Sequence, residues 1–138
     1  MLTREFEIDA PIEKVFEVIS NFSAYPEFLD STISAKVRKN TKGHFVDFKV
    51  NVVKTIDYTL KIRSEPPNEL SWELVKGDVM KSNSGSWKLE ALTKDRTKAY
   101  YQVDVSFGWL VPKLIVNQLT AIQLPQMLDA FKRRAEVA

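Results

Sequence analysis

From Ser31 to Phe107 apolar and polar residues alternate, interrupted by turn-forming stretches. Ile33, Ala35 and Val37 fall on one side of the first run. After Asn40-Thr41-Lys42-Gly43 come Val46, Phe48, Val50 and Val52, then Ile56, Tyr58, Leu60 and Ile62. Beyond Pro66-Pro67-Asn68, Leu70, Trp72 and Leu74 share a face, as do Gly85, Trp87, Leu89 and Ala91. After Lys94-Asp95, Ala99, Tyr101, Val103, Val105 and Phe107 complete the series. Successive strand side chains point to opposite faces, so each run predicts a strand with one dry and one wet face. Runs joined by short turns predict antiparallel neighbours. An earlier alternating run over Leu2, Arg4, Phe6 and Ile8 predicts an opening strand near a sheet edge.

Two other stretches have helical spacing. Ile12, Val15, Phe16 and Ile19 mark the buried face of a helix that starts at Asp9-Ala10-Pro11, with Pro11 in its first turn. Ser23 is placed to cap a second short helix through Ala24–Leu29. The long C-terminal stretch, from Phe107 to Arg134, changes phase. Counted at 100° per residue, Val111, Ile115, Leu119 and Ile122 lie on one side. Leu124, Met127, Leu128, Phe131 and Ala135 lie nearly opposite. If the second set grips the core, the same inner face of the first half carries Lys113, Asn117, Thr120 and Ala121. Pro125, at the change of phase, is placed to bend the helix and turn both stripes inward.

About seven strands with one dry face need a cover, and the terminal helix is the one segment long enough to supply it. The expected class is therefore α+β of helix-grip type. A curved antiparallel sheet wraps a long C-terminal helix, and two short helices follow the first strand. At 138 residues, without repeat, linker or low-complexity tract, the chain reads as a single domain over 1–138.

Composition narrows the function. Hydrophobic content of 44% and charged content of 28% are those of an ordinary globular protein. A net charge of +2 gives no strong field toward nucleic acid. Basic residues do gather at Lys36, Arg38, Lys39 and Lys42 and again at Lys132, Arg133 and Arg134. The first group suits a protected sheet edge, and the second complements a helix C-terminus. No cysteine is present, which excludes disulfides, thiol catalysis and thiolate metal sites. The N-terminus is too charged for a signal peptide, and polar residues interrupt the most apolar window, so a cytoplasmic protein is expected.

Particular wording points to a family. DAPIEKVFEVISNFSAYPEFL, GSWKLEAL, TKAYYQVDVSF and the closing MLDAFKRRAE together resemble the START-like (polyketide cyclase and lipid-transport) superfamily over essentially the whole chain. Tyr25-Pro26-Glu27-Phe28-Leu29 is most similar to its coenzyme-Q-binding and ribosome-association-toxin branch. That branch typically continues with Pro-Trp, where this chain has Asp30-Ser31. The resemblance implies an apolar ligand held between sheet and helix. It carries as alternatives a cyclase or dehydratase using the same cavity, and a ribosome- or protein-interaction module.

The residues themselves offer little for catalysis. His44 is the single histidine and stands at a strand end without a partner. No carboxylate cluster has ligand spacing, no Gly-rich phosphate loop is present, and Asp47, Asp57, Glu73, Glu90 and Asp104 fall on wet faces. No catalytic residue, metal or cofactor is assigned, and a binding or carrier role is expected over an enzymatic one. The expected ligand-binding residues are Phe48, Tyr58, Trp72, Trp87, Tyr101, Asn117, Thr120 and Leu124. Their aromatic bodies give an apolar wall, and their polar tips orient a ligand. Trp109, Leu110 and Val111 are the expected portal, suited to peripheral contact with a membrane. Ile115, Leu119 and Ile122, if outward, form a stripe suited to a homodimer.

Overall fold

The computed structural model describes residues 1–52, 54–108, 111–118, 121 and 123–137. The chain begins with β1 (Leu2–Ile8), α1 (Ile12–Ser20) and a 3₁₀ segment, Phe22–Glu27. Six strands follow: β2 (Thr32–Asn40), β3 (Gly43–Val52), β4 (Lys54–Glu65), β5 (Glu69–Gly77), β6 (Met80–Thr93) and β7 (Arg96–Phe107). Two helices close the chain, α2 (Lys113–Gln118) and α3 (Leu124–Glu136).

The seven strands form one sheet in the order β1-β7-β6-β5-β4-β3-β2, antiparallel throughout. Chain neighbours pair from β2 to β7, as short turns require. β1 then docks on β7 and becomes an edge. The β2–β3 turn needs Gly43, whose φ of 136° lies where a side chain is strained. The alternation reads out as expected in the centre of the sheet. Val46, Phe48, Val50, Ile56, Leu60, Leu70, Trp87, Leu89, Ala99 and Tyr101 are all buried.

At the β2 edge it does not. Ile33 and Val37 are 49% and 50% exposed, because a bulge between Thr32 and Ser34 and the lack of an outer neighbour leave them uncovered. On the outer face Phe45 and Thr59 are buried where solvated positions are expected. The Arg38 guanidinium lies over the Phe45 ring and pairs with Asp47, which accepts the Thr59 hydroxyl at 2.6 Å. Arg38 and Thr59 hold the Asp47 carboxyl below its usual range.

α1 buries Ile12, Val15, Phe16, Val18 and Ile19, and Pro11 stands as its N-cap. Ser23 does not cap the second element. It lies inside the 3₁₀ segment, which follows Asn21 without a side-chain cap.

The C-terminal stretch departs most from expectation. Lys113–Gln118 and Leu124–Glu136 are both α-helical. Ala121 and Gln123 lie in wider, π-type turns, and Pro125 stands in the first turn of α3 rather than at a mid-helix bend. α3 buries Leu128, Phe131 and Ala135 as the spacing predicts. A π-type turn shifts the phase of everything before it, so a 100° count cannot be carried back into α2. Lys113, Asn117 and Ala121, expected inward, are therefore exposed, while Val111, Ile115 and Val116 are half-buried. Leu119, Thr120 and Ile122 lie outside the described residues. Among the described residues, no helix is long and apolar enough to cross a membrane.

Candidate ligand-binding cavity

Between the dry face of the sheet and α3 lies a cavity of about 1130 Å³. It is partly open to solvent and partly enclosed by the packing of α3 on the sheet. It lies slightly above the roughly 300–1000 Å³ of typical small-molecule sites.

One end is sealed by aromatic packing. Phe131 of α3 meets Tyr25 at 5.1 Å, Phe28 at 5.2 Å and Trp87 at 5.3 Å between ring centroids, all edge to face. Phe48 lies 6.1 Å from Tyr25 and stacks on Tyr58 at 5.2 Å. Tyr101 sits between the two indoles, 4.9 Å from Trp87 and 5.8 Å from Trp72. Val103, Val105, Phe107, Leu124 and Met127 continue the apolar wall. The exposed Met1, Asp30, Asp104, Gln126 and Arg133 also line it and mark its rim.

Six of the expected ligand residues are thus brought together: Phe48, Tyr58, Trp72, Trp87, Tyr101 and Leu124 all line this space. Asn117 does not; it is exposed and off the lining, for the phase reason given above. Thr120 lies outside the described residues, as do Trp109 and Leu110 of the expected portal. Val111 of that portal is half-buried and not part of the lining. Val116 and Gln123 face the cavity in place of the expected polar pair.

The polar tips divide into used and free. Tyr25 donates to the Ile19 carbonyl, a bond that ties the 3₁₀ segment to the end of α1. The Trp72 indole N–H donates to Asn83 Oδ1 at 3.0 Å, and the Asn83 amide reaches Met80 Sδ at 3.7 Å. Asn83 was missed in the sequence, although it shares the parity of Gly85, Trp87 and Leu89. Gly85 makes room for this arrangement. A Cβ there would stand 2.6 Å from Trp72 Cζ2 and 2.4 Å from the Gln102 carbonyl oxygen.

The Tyr58 and Tyr101 hydroxyls have no hydrogen-bond partner among the described residues. No fully occluded side-chain oxygen or nitrogen there is left unpaired, so both hydroxyls open onto the cavity. Burial pushes the Tyr58 phenol up to about 12. Tyr101 is raised too, by burial first and then by Tyr58. Tyr25 is raised well above its ordinary value by burial, with Tyr101 and Tyr58 adding to the effect. Three neutral phenols therefore meet in one apolar interior.

A curled antiparallel sheet gripping a C-terminal helix across such a cavity defines the START-like helix-grip class. The chain belongs to the polyketide cyclase / dehydrase and lipid transport family, whose model matches residues 8–132. It is 25% identical to the ribosome association toxin RatA of Vibrio cholerae serotype O1, over 98% of this chain and 94% of the relative. Among solved structures it resembles a START superfamily protein from Mycobacterium smegmatis. The TM-score is 0.85 at 19% identity, over 98% of this chain and 96% of that one. The Zhui aromatase/cyclase from Streptomyces sp. R1128 gives a TM-score of 0.84 at 18% identity, over 98% and 92%. At these structural identities the likeness is one of fold.

Proposed function

We propose that this chain is a binding or carrier domain for a hydrophobic small molecule of lipid-, quinone- or polyketide-like character, enclosed between the sheet and α3. The observation that carries this reading is the cavity of about 1130 Å³ with aromatic and aliphatic walls. Burial of apolar ligand surface against such walls supplies the driving force, and a few hydroxyls fix orientation.

Likeness to an aromatase/cyclase supports a second reading, in which the same cavity shapes a reactive chain. The interior favours the carrier. Its described lining carboxylates, Asp30 and Asp104, are exposed at the rim, and His44 is exposed at the start of β3. General acid–base work most often uses a carboxylate or imidazole within reach of the reacting atoms, whereas the titratable groups described in this interior are phenols raised above their ordinary range. The name of the RatA relatives supports a third reading, ribosome association through the exterior. Co-sedimentation with ribosomes, undiminished when the cavity is filled by Ala130→Trp, would favour it over the carrier.

At the α2 end, Leu114 is 78% exposed beside half-buried Ile115. This supports the contacts expected there: a homodimer through Ile115, Leu119 and Ile122, or membrane contact through the 109–111 tip. Sedimentation at rising concentration, with and without vesicles, tests both. For the carrier reading the test is native mass spectrometry of the chain isolated from its own cells. A mass excess released by organic solvent is expected; a bare chain in every preparation would refute it.

A further inference from the structure

Away from its rim, the described polar groups of the cavity are uncharged: the hydroxyls of Tyr58 and Tyr101, the amides of Asn83 and Gln123, and the side chains of Ser31 and Thr32. Tyr58 and Tyr101 offer hydroxyls that no described residue engages, while the amide of Asn83 is already held by Trp72 and Met80. Among the described residues the lining cations stay at the rim and are paired, the Met1 ammonium with Asp104 at 3.9 Å. Arg134 binds Glu27 at 2.6 Å and lies over the Phe28 ring, and Arg133 binds Asp129 at 2.9 Å. A carboxylate drawn to the depth of the two phenols would lose its hydration with no described cation to replace it. A carbonyl oxygen loses far less and gains a hydroxyl donor.

We propose that Tyr58 and Tyr101 form the polar pole of the site and select uncharged ligands that carry a ketone- or ester-type oxygen on an apolar body, against carboxylates of the same size. This rests on the ligand-binding function proposed above and narrows its chemistry. Geometry carries it: one aromatic cage, two unengaged hydroxyls opening into it, and charge confined to the rim. Burial also keeps both phenols protonated, and so able to donate, across the neutral range.

Three probes of matched shape test it: 2-ethylnaphthalene, 2-acetylnaphthalene and 2-naphthoate, titrated at pH 8 into the full chain and into Tyr58→Phe and Tyr101→Phe. The ketone is expected to bind about fivefold or more tighter than the hydrocarbon, the worth of one hydrogen bond. The naphthoate is expected to bind at least about tenfold more weakly than the ketone, for want of a buried cation. Each Phe variant should shrink the ratio of ketone to hydrocarbon affinity, which a merely structural hydroxyl would not do, and an unchanged ratio in both variants overturns the proposal. Equal binding of ketone and hydrocarbon, or tighter binding of naphthoate, overturns the polar pole and leaves the apolar cavity standing. Failure of all three to bind overturns both.

Discussion

Trp72 shows how single residues set the shape of the cavity. Its ring lies over Gly85, and its N–H is taken by Asn83. Gly85→Ala would press a methyl group onto both the ring and a backbone oxygen, so a loss of about 1–3 kcal/mol is expected in urea denaturation. Asn83→Leu leaves a partly buried indole donor unpaired and should cost about 1–3 kcal/mol by the same measurement. Cavity-facing aromatics were legible in the sequence because strand parity assigns every second residue to one face. Asn83 was not, because the predicted strand began at Gly85, whereas β6 begins at Met80. Asn117 lies off the expected face because the π-type turns at Ala121 and Gln123 upset a count at 100° per residue.

Among the elements, α3 closes one end of the fold through Phe131. Phe131 is 2% exposed and touches rings from the 3₁₀ segment and from β6. Phe131→Ala should cost about 3–5 kcal/mol, measured by chemical denaturation. The strands, their order around the turns and the inward stripe of α3 could be read from periodicity, since each repeats over several residues. What could not be read was the wider turning at Ala121 and Gln123, between α2 and α3. A single wider turn leaves no composition signature, yet it rotates all that precedes it. Edge effects were equally hidden: Val37 has the same alternation as Val46, its partner across β2 and β3, but solvent on its open side.

For the molecule as a whole, the cavity and the phenols couple stability to alkaline pH. Unfolded tyrosines ionise near the ordinary value of 10.0, whereas Tyr58 keeps its proton to about 12. Between these values the folded state binds more protons than the unfolded one. Stability should therefore be flat with respect to these groups below pH 10 and fall as pH rises from 10 toward 12. Denaturation at pH 9 and pH 11, with phenolate absorbance followed in parallel, checks this. Tyr58→Phe should weaken the fall. Everything functional depends on the space between sheet and α3 being open to an apolar guest. Fluorescence titration with the neutral probe N-phenyl-1-naphthylamine, on the wild-type chain and on Ala130→Trp, measures that directly. Saturable one-to-one uptake by the first and its loss in a folded variant is the predicted result; no uptake by either, or equal uptake by both, would contradict it.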